Sequence, residues 1–102
     1  MNNYKIRDSL KMWKEARAQP IIDAGNENKL KPAIKMGRAV QSVCTDIDNL
    51  LCLKDEDLLE ALSEICTKLE DTVENAQIYE KIGYTISLSD LRAILDDVTE
   101  NE

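Results

Sequence analysis

Residues 36–69, MGRAVQSVCTDIDNLLCLKDEDLLEALSEICTKL, contain the pattern that decides the fold. In both halves of this stretch, apolar side chains recur at intervals of four and three residues, which places them on one face of an α-helix. The first half has Met36, Val40, Val43, Ile47 and Leu50, and the second has Leu58, Leu62, Ile65 and Leu69. A short polar run separates the two patterns. The stretch therefore predicts two helices, at about residues 32–53 and 55–82, joined as an antiparallel hairpin.

Residues typical of helix ends mark the second of these helices. Asp55 is a candidate N-cap, and it is followed by acidic residues in the first turn, where the helix dipole favours negative charge. The apolar pattern continues through Val73, Ala76 and Tyr79, and Gly83 is a candidate C-cap.

The chain before the hairpin predicts one further helix and a loop. Apolar residues recur at helical spacing from Ile6 to Trp13, so a helix is expected at about residues 4–18. Pro20 is expected to end it, because proline lacks the N–H that a helix interior needs. Residues 21–31 contain one glycine and two asparagines, and they predict a loop.

The last predicted helix lies near the C-terminus, at about residues 88–98. Ser87 is its candidate N-cap, and Asp90 follows three residues later, as in a capping box. Its apolar face consists of Leu88, Leu91, Leu95 and Val98. Together these helices predict an all-α fold, a small helical bundle in which the N-terminal and C-terminal helices flank the hairpin. A chain of 102 residues holds one hydrophobic core, so a single helical domain over residues 1–102 is expected.

The sequence also bears on the cellular compartment. The first ten residues contain charged side chains and no apolar run of the kind that a secretory signal would need, and no stretch approaches the roughly 20 apolar residues that span a bilayer. Cys44, Cys52 and Cys66 are odd in number and lack metal-ligand spacing, which is typical of reduced core cysteines. A soluble, cytoplasmic protein that does not bind membranes is therefore expected.

The chain lacks the usual equipment of an enzyme. It contains no histidine, which removes the commonest general base and the commonest metal ligand together. Its three glycines are isolated and form no phosphate-binding loop. The prediction is therefore a protein that is not an enzyme and that has no catalytic residues, no cofactor and no metal site.

Charge is distributed unevenly along the chain. Residues 1–38 contain nine basic and four acidic side chains, whereas residues 39–102 contain four basic and sixteen acidic ones. On the second hairpin helix, five carboxylates fall within about 100° of one another, opposite the apolar face. These residues, which we call the acidic rail, are Glu56, Glu60, Glu64, Asp71 and Glu74. The acidic rail is the candidate site for a protein partner with a basic surface.

A second candidate site is basic. Cations recur at helical spacing on the first helix and again at the start of the hairpin, and two such runs could adjoin to contact phosphates. These residues, called the basic stripe, are Arg7, Lys11, Lys14, Lys31, Lys35 and Arg38. The plain alternative for both charged sets is that they are solvated faces, or that they pair with each other inside the fold.

The favoured hypothesis is a non-enzymatic interaction module. Its acidic rail would occupy a basic, nucleic-acid-handling surface of a partner protein. Homodimerisation through the apolar seams of the hairpin is also expected. In size, acidity and helical content the chain is similar to small immunity proteins and to inhibitors encoded by phages and mobile elements, without any residue correspondence. Two alternatives remain: a small nucleic-acid-binding accessory protein that uses the basic stripe, and a structural homo-oligomeric bundle. Trp13 is expected either in the core or as an interface anchor.

Overall fold

The structure, a computed structural model, describes residues 3–100 and the side chains of residues 5–99. In this part of the chain, α-helices follow one another with short connections and no β-strand. The helices are α1 (Asn3–Trp13), α2 (Gln19–Glu27), α3 (Lys31–Leu51), α4 (Leu58–Asn75) and α5 (Ile78–Glu100). A π-helical turn (Lys14–Ala18) joins α1 to α2, and a 3₁₀ turn (Asp55–Asp57) precedes α4. The predicted all-α helical bundle is confirmed.

The predicted helix end at Pro20 and the predicted loop at residues 21–31 are wrong. The chain remains helical through the π-helical turn and continues as α2 to Glu27. Proline breaks a helix because its ring meets the carbonyl group four residues earlier and because it has no N–H to donate. Pro20 lies in the first turn of α2, directly after the wide π-helical turn, and that position tolerates it.

The actual connection between α2 and α3 is the short segment 28–30. The side-chain oxygen of Asn28 accepts a hydrogen bond from the backbone N–H of Leu30 at 3.0 Å. Leu30 itself is extended, with φ −74° and ψ 130°. A local side-chain hydrogen bond of this kind fixes the path of a tight turn.

The predicted helices at residues 55–82 and 88–98 have other boundaries in the structure. α4 ends where Ala76 becomes extended, with φ −79° and ψ 152°, and α5 starts only two residues later. Gly83 and Ser87, predicted as helix caps, both lie inside α5. The buried hydroxyl of Ser87 donates a hydrogen bond to the carbonyl oxygen of Gly83 at 2.9 Å, an i to i−4 contact within the helix.

The start of α4 also differs from the prediction. Asp55 is not its N-cap, because it lies in the 3₁₀ turn and its carboxylate accepts hydrogen bonds from Arg7. Asp57 occupies the N-cap position, and its side chain makes no capping hydrogen bond. The preceding helix, predicted at residues 32–53, is α3 and is two residues shorter at its C-terminal end.

Contacts between the helices define the topology of the bundle. Lys14 pairs with Asp48 near the C-terminal end of α3, whereas Gly25 contacts Gly37 near its N-terminal end, so α1 and α2 run antiparallel to α3. An ion pair between Lys5 and Asp97, at 2.8 Å, joins the start of α1 to the end of α5. α5 therefore runs antiparallel to α1 and parallel to α3.

α5 packs against both α3 and α4. Arg92 of α5 pairs with Glu70 of α4. The contact with α3 is the most extensive in the fold, and at Gly83 the two backbones approach closely. A Cβ atom on Gly83 would lie 2.8 Å from the carbonyl oxygen of Met36 and 2.9 Å from Cβ of Ala39. Only glycine allows this distance between the helices.

The apolar seams of the predicted hairpin lie in the core of the single chain. The buried seam residues are Val40, Val43, Ile47 and Leu50 of α3 and Leu58, Leu62 and Leu69 of α4. These side chains pack within one molecule, and the homodimer that the seams predicted stays a prediction. None of the described helices is both long enough and apolar enough to cross a membrane.

Candidate functional site

The acidic rail lies mainly along one exposed face of α4. Glu60, Glu64, Asp71 and Glu74 lie on α4, and Glu56 lies in the 3₁₀ turn before it. All five side chains are exposed. They lie opposite the buried leucines of α4, because side chains four and seven residues apart share a helix face. Burial of that opposite face fixes the orientation of the rail.

The rail is electrostatically uncompensated. Between residues 55 and 75 the chain has eight acidic side chains and one basic side chain, Lys68. Within residues 5–99, no ion pair or hydrogen bond involves a carboxylate of the rail, although Glu70 beside it pairs with Arg92. α4 and the turn before it therefore present a negative surface on the described part of the chain.

The part of the basic stripe on the first helix is engaged by the fold itself. The Arg7 guanidinium donates two hydrogen bonds to one carboxylate oxygen of Asp55, at 3.2 Å from Nε and 2.7 Å from Nη2. It also donates to the carbonyl oxygens of Leu51, at 2.6 Å, and Leu53, at 3.1 Å. Arg7 thus ties the N-terminal helix to the turn between α3 and α4.

The two halves of the basic stripe do not adjoin. Lys14 pairs with Asp48 beside the C-terminal end of α3, and Lys11 is exposed. Lys31, Lys35 and Arg38 belong to the first two turns of α3, and within residues 5–99 no ion pair involves them. At about 1.5 Å per residue, Arg38 is roughly 15 Å from Asp48 along the helix. The six cations therefore lie on two separate regions.

Trp13 belongs to the core. Its side chain is 6% exposed, and its indole N–H donates a hydrogen bond to Oδ2 of Asp90 at 3.0 Å. The same oxygen accepts a hydrogen bond from Nε of Arg17, also at 3.0 Å. Asp90 was predicted as the capping-box partner of Ser87, and that prediction is wrong because both residues lie inside α5. The sequence contains no signal for this contact between α1 and α5, which joins residues 77 positions apart.

A cleft that the sequence did not predict lies beside the rail, between α3 and α4. Its volume is about 330 Å³, and its apolar lining comes from Leu50, Leu53, Ala61 and Ile65. Asp46 of α3 and Glu64 of the rail stand at its edge, together with Asn49 and Lys68. We call this the α3–α4 cleft. Its one sequence signal is Leu53, an apolar residue just past the end of α3 that remains 41% exposed.

The described residues hold no group of three or more histidine, cysteine or acidic side chains that could bind a metal ion. Two of the three thiols, Cys44 and Cys66, are buried. Burial raises the pKa of both thiols, and the nearby cations Lys14 and Arg92 oppose this only in part. Because a thiolate is the nucleophile and a thiol is not, neither residue has the environment of a reactive cysteine.

The thiols should therefore differ strongly in reactivity. At mildly alkaline pH we expect a thiol reagent such as DTNB to modify the exposed Cys52 rapidly. Cys44 and Cys66 should react only as the bundle opens, because their side chains are buried and remain protonated. Absorbance kinetics measure the two phases. Cys52→Ser should remove the fast phase and leave the slow one, whereas equal rates for all three thiols would contradict the burial.

Comparison with known proteins adds no family to this geometry. No protein-family model, no curated protein and no solved structure matches the chain. The exposed acidic rail, the divided basic stripe and the α3–α4 cleft are therefore the grounds on which a function can be proposed.

Proposed function

We propose that the chain is a non-enzymatic interaction module that binds a basic surface of a partner protein through the acidic rail. The supporting observation is the contrast between the two charged sets. All five rail carboxylates are exposed and unpaired within residues 5–99, whereas Arg7 and Lys14 of the basic stripe are held in ion pairs. The unpaired negative charges of the rail are thus concentrated on α4 and the turn before it, whereas the unpaired cations of the stripe are divided between two regions.

The geometry of the rail suits a surface that handles nucleic acid. Glu60 and Glu64 lie one turn apart, about 6 Å along the axis, a spacing comparable to that of phosphates along one strand. The next carboxylate, Asp71, follows two turns later, at about 10 Å. The rail is part of a packed helix, so binding does not have to order the backbone, which lowers the entropic penalty of association. Occupying a basic cleft in this way would inhibit the partner by excluding its nucleic acid.

The same charges disfavour direct binding to nucleic acid. The chain has a net charge of −7, and its basic stripe is divided between two regions of the bundle. Within residues 5–99, the stripe cations without an ion pair are Lys11 on the first helix and Lys31, Lys35 and Arg38 at the start of α3. So few cations bind phosphates weakly at physiological salt. Direct binding to nucleic acid is therefore the alternative that a shift of duplex DNA would reveal.

Charge reversal on the rail should weaken binding to a basic ligand. The probe is a short fluorescent peptide rich in arginine and lysine, and fluorescence anisotropy at low and at physiological salt measures its affinity. The combined substitution Glu60→Lys, Glu64→Lys and Asp71→Lys should reduce the affinity at least about tenfold, because each lost ion pair becomes a repulsion. Wild-type binding should itself weaken with added salt.

A matched control separates the rail from net charge alone. Asp8→Lys, Glu15→Lys and Glu27→Lys make the same change in charge on exposed positions of the first helical segment. This variant should retain most of the affinity, and circular dichroism should show equal helicity for both. Equal loss in the two variants would exclude a specific role of the rail. A salt-sensitive shift of duplex DNA that Lys31→Glu, Lys35→Glu and Arg38→Glu abolish would instead support the basic stripe.

A further inference from the structure

The α2–α3 turn exposes an apolar side chain between two cations. Leu30 is 65% exposed, and Lys29 and Lys31 on either side of it are exposed as well. Within residues 5–99, neither lysine takes part in an ion pair. The hydrogen bond from the Leu30 N–H to Asn28 holds the turn in shape. The turn is therefore a preorganised projection with the apolar side chain of Leu30 at its tip and a lysine on each side.

The α3–α4 cleft has the complementary character. Its lining is mainly apolar, and its charged residues are Asp46, Glu64 and the one cation Lys68, which leaves a net negative charge. Neither carboxylate takes part in an ion pair within residues 5–99. A volume of about 330 Å³ is roughly ten times that of a water molecule, which is enough for the four carbons of a leucine side chain. Exposed Leu53 at its edge extends the apolar contact.

One molecule cannot bring these two features together. Leu30 precedes α3 and Leu53 follows it, so the 21 residues of this helix separate the projection from the cleft by about 30 Å. α3 is packed between α2, α5 and α4, and it cannot bend to close that distance. The two features can meet only between molecules.

We propose that the α2–α3 turn of one copy docks into the α3–α4 cleft of a second copy, so that the chain self-associates head to tail. Leu30 enters the cleft, and Lys29 and Lys31 pair with Asp46 and Glu64 of the neighbouring copy. The contact is heterologous, because the two surfaces that meet are different, and repetition of it produces a ring or an open chain of molecules. Small interfaces of this kind are weak, so association depends on concentration and on salt.

Self-association bears on the proposed function without depending on it. Glu64 belongs both to the acidic rail and to the cleft edge, so a docked neighbour occupies part of the rail. Binding of a basic partner and self-association then compete, and each weakens the other. Loss of peptide binding by the rail would leave the self-association result unaffected.

Sedimentation velocity over a range from micromolar to millimolar protein tests the contact. Wild-type protein should shift from a monomer of 11.6 kDa to larger species at low salt and return to the monomer at high salt. Leu30→Ser should weaken association at least about tenfold, because it removes the apolar tip. Met12→Ser is the matched control, since Met12 is equally exposed, at 67%, on another face and should leave association unchanged.

Charge exchange between the two surfaces gives a stricter test. One variant carries Lys29→Glu and Lys31→Glu, and a second carries Asp46→Lys and Glu64→Lys. Each variant alone should remain monomeric, because like charges meet in the contact, and an equimolar mixture should associate. Wild-type protein that stays monomeric at millimolar concentration, an unchanged Leu30→Ser variant, or a mixture that fails to associate would each overturn the proposal.

Discussion

Replacing Gly83 with alanine is expected to lower the free energy of unfolding by about 1–3 kcal/mol. Helix propensity alone predicts the opposite, because alanine is favoured over glycine inside a helix by about 1 kcal/mol. The added Cβ would lie 2.8 Å from the backbone oxygen of Met36, and that oxygen cannot move without shifting α3. Packing strain therefore outweighs the gain in propensity.

Chemical denaturation and thermal melting measure this effect. For a domain of this size, each kcal/mol corresponds to roughly 4–8 °C in the melting temperature. Ser89→Ala is the control: it lies on the same helix at an exposed position and should change stability by no more than about 0.5 kcal/mol. Increased stability of the Gly83→Ala variant would contradict the close approach of α3 and α5 at this residue.

Replacing Arg7 with methionine should lower the free energy of unfolding by about 2–4 kcal/mol. The substitution removes four hydrogen bonds at once, and it leaves the Leu51 and Leu53 carbonyl groups and the Asp55 carboxylate without their donor. Methionine retains much of the apolar stem of the arginine side chain, so the decrease in the free energy of unfolding measures mainly the contribution of the guanidinium.

Two further variants interpret the Arg7 result. Arg7→Lys keeps the charge but not the planar set of donors, and it should recover only part of the lost stability. Lys11→Met removes a cation from the same helix at an exposed position, and it should change the free energy of unfolding by no more than about 0.5 kcal/mol. If Lys11→Met and Arg7→Met destabilised the protein equally, general charge would account for the effect, and the specific bonds of Arg7 would not.

Local periodicity predicted most helices of this fold, but it missed α2 and several helix ends. The seams of α3 and α4 repeat in sequence because a buried helix face must be apolar at each turn. Gly83 and Ser87, in contrast, have the residue types of helix caps while they serve close packing inside α5. Their role depends on the backbone of α3, which is far away in sequence. The break at Ala76 has no strong sequence signal, so α4 and the start of α5 were predicted as one helix.

The charged sites depend on more than one kind of signal. Four residues of the acidic rail lie on α4 alone, and their spacing in sequence was enough to predict that they share a face. The fate of Arg7 depends on Asp55, which lies 48 residues away, and no local pattern contains that pairing. The α3–α4 cleft likewise requires two helices at a known separation. Among these charged sites and the cleft, features made by one helix were predictable, and features made by two were not.

The π-helical turn at Lys14–Ala18 changes which residues of the first helical segment share a face. A π-helical turn holds one residue more than an α-helical turn, so it rotates everything after it by roughly 100° relative to a regular helix. In a regular α-helix, at about 100° per residue, Trp13 and Gly25 would lie roughly 120° apart around the axis. The extra residue reduces this difference to roughly 20°, so the buried residues before and after the turn share one face. These residues are Ile6, Leu10 and Trp13 before the turn, and Ala18, Ile22 and Gly25 from its last residue onward. The π-helical turn thus keeps one buried face continuous from α1 to α2.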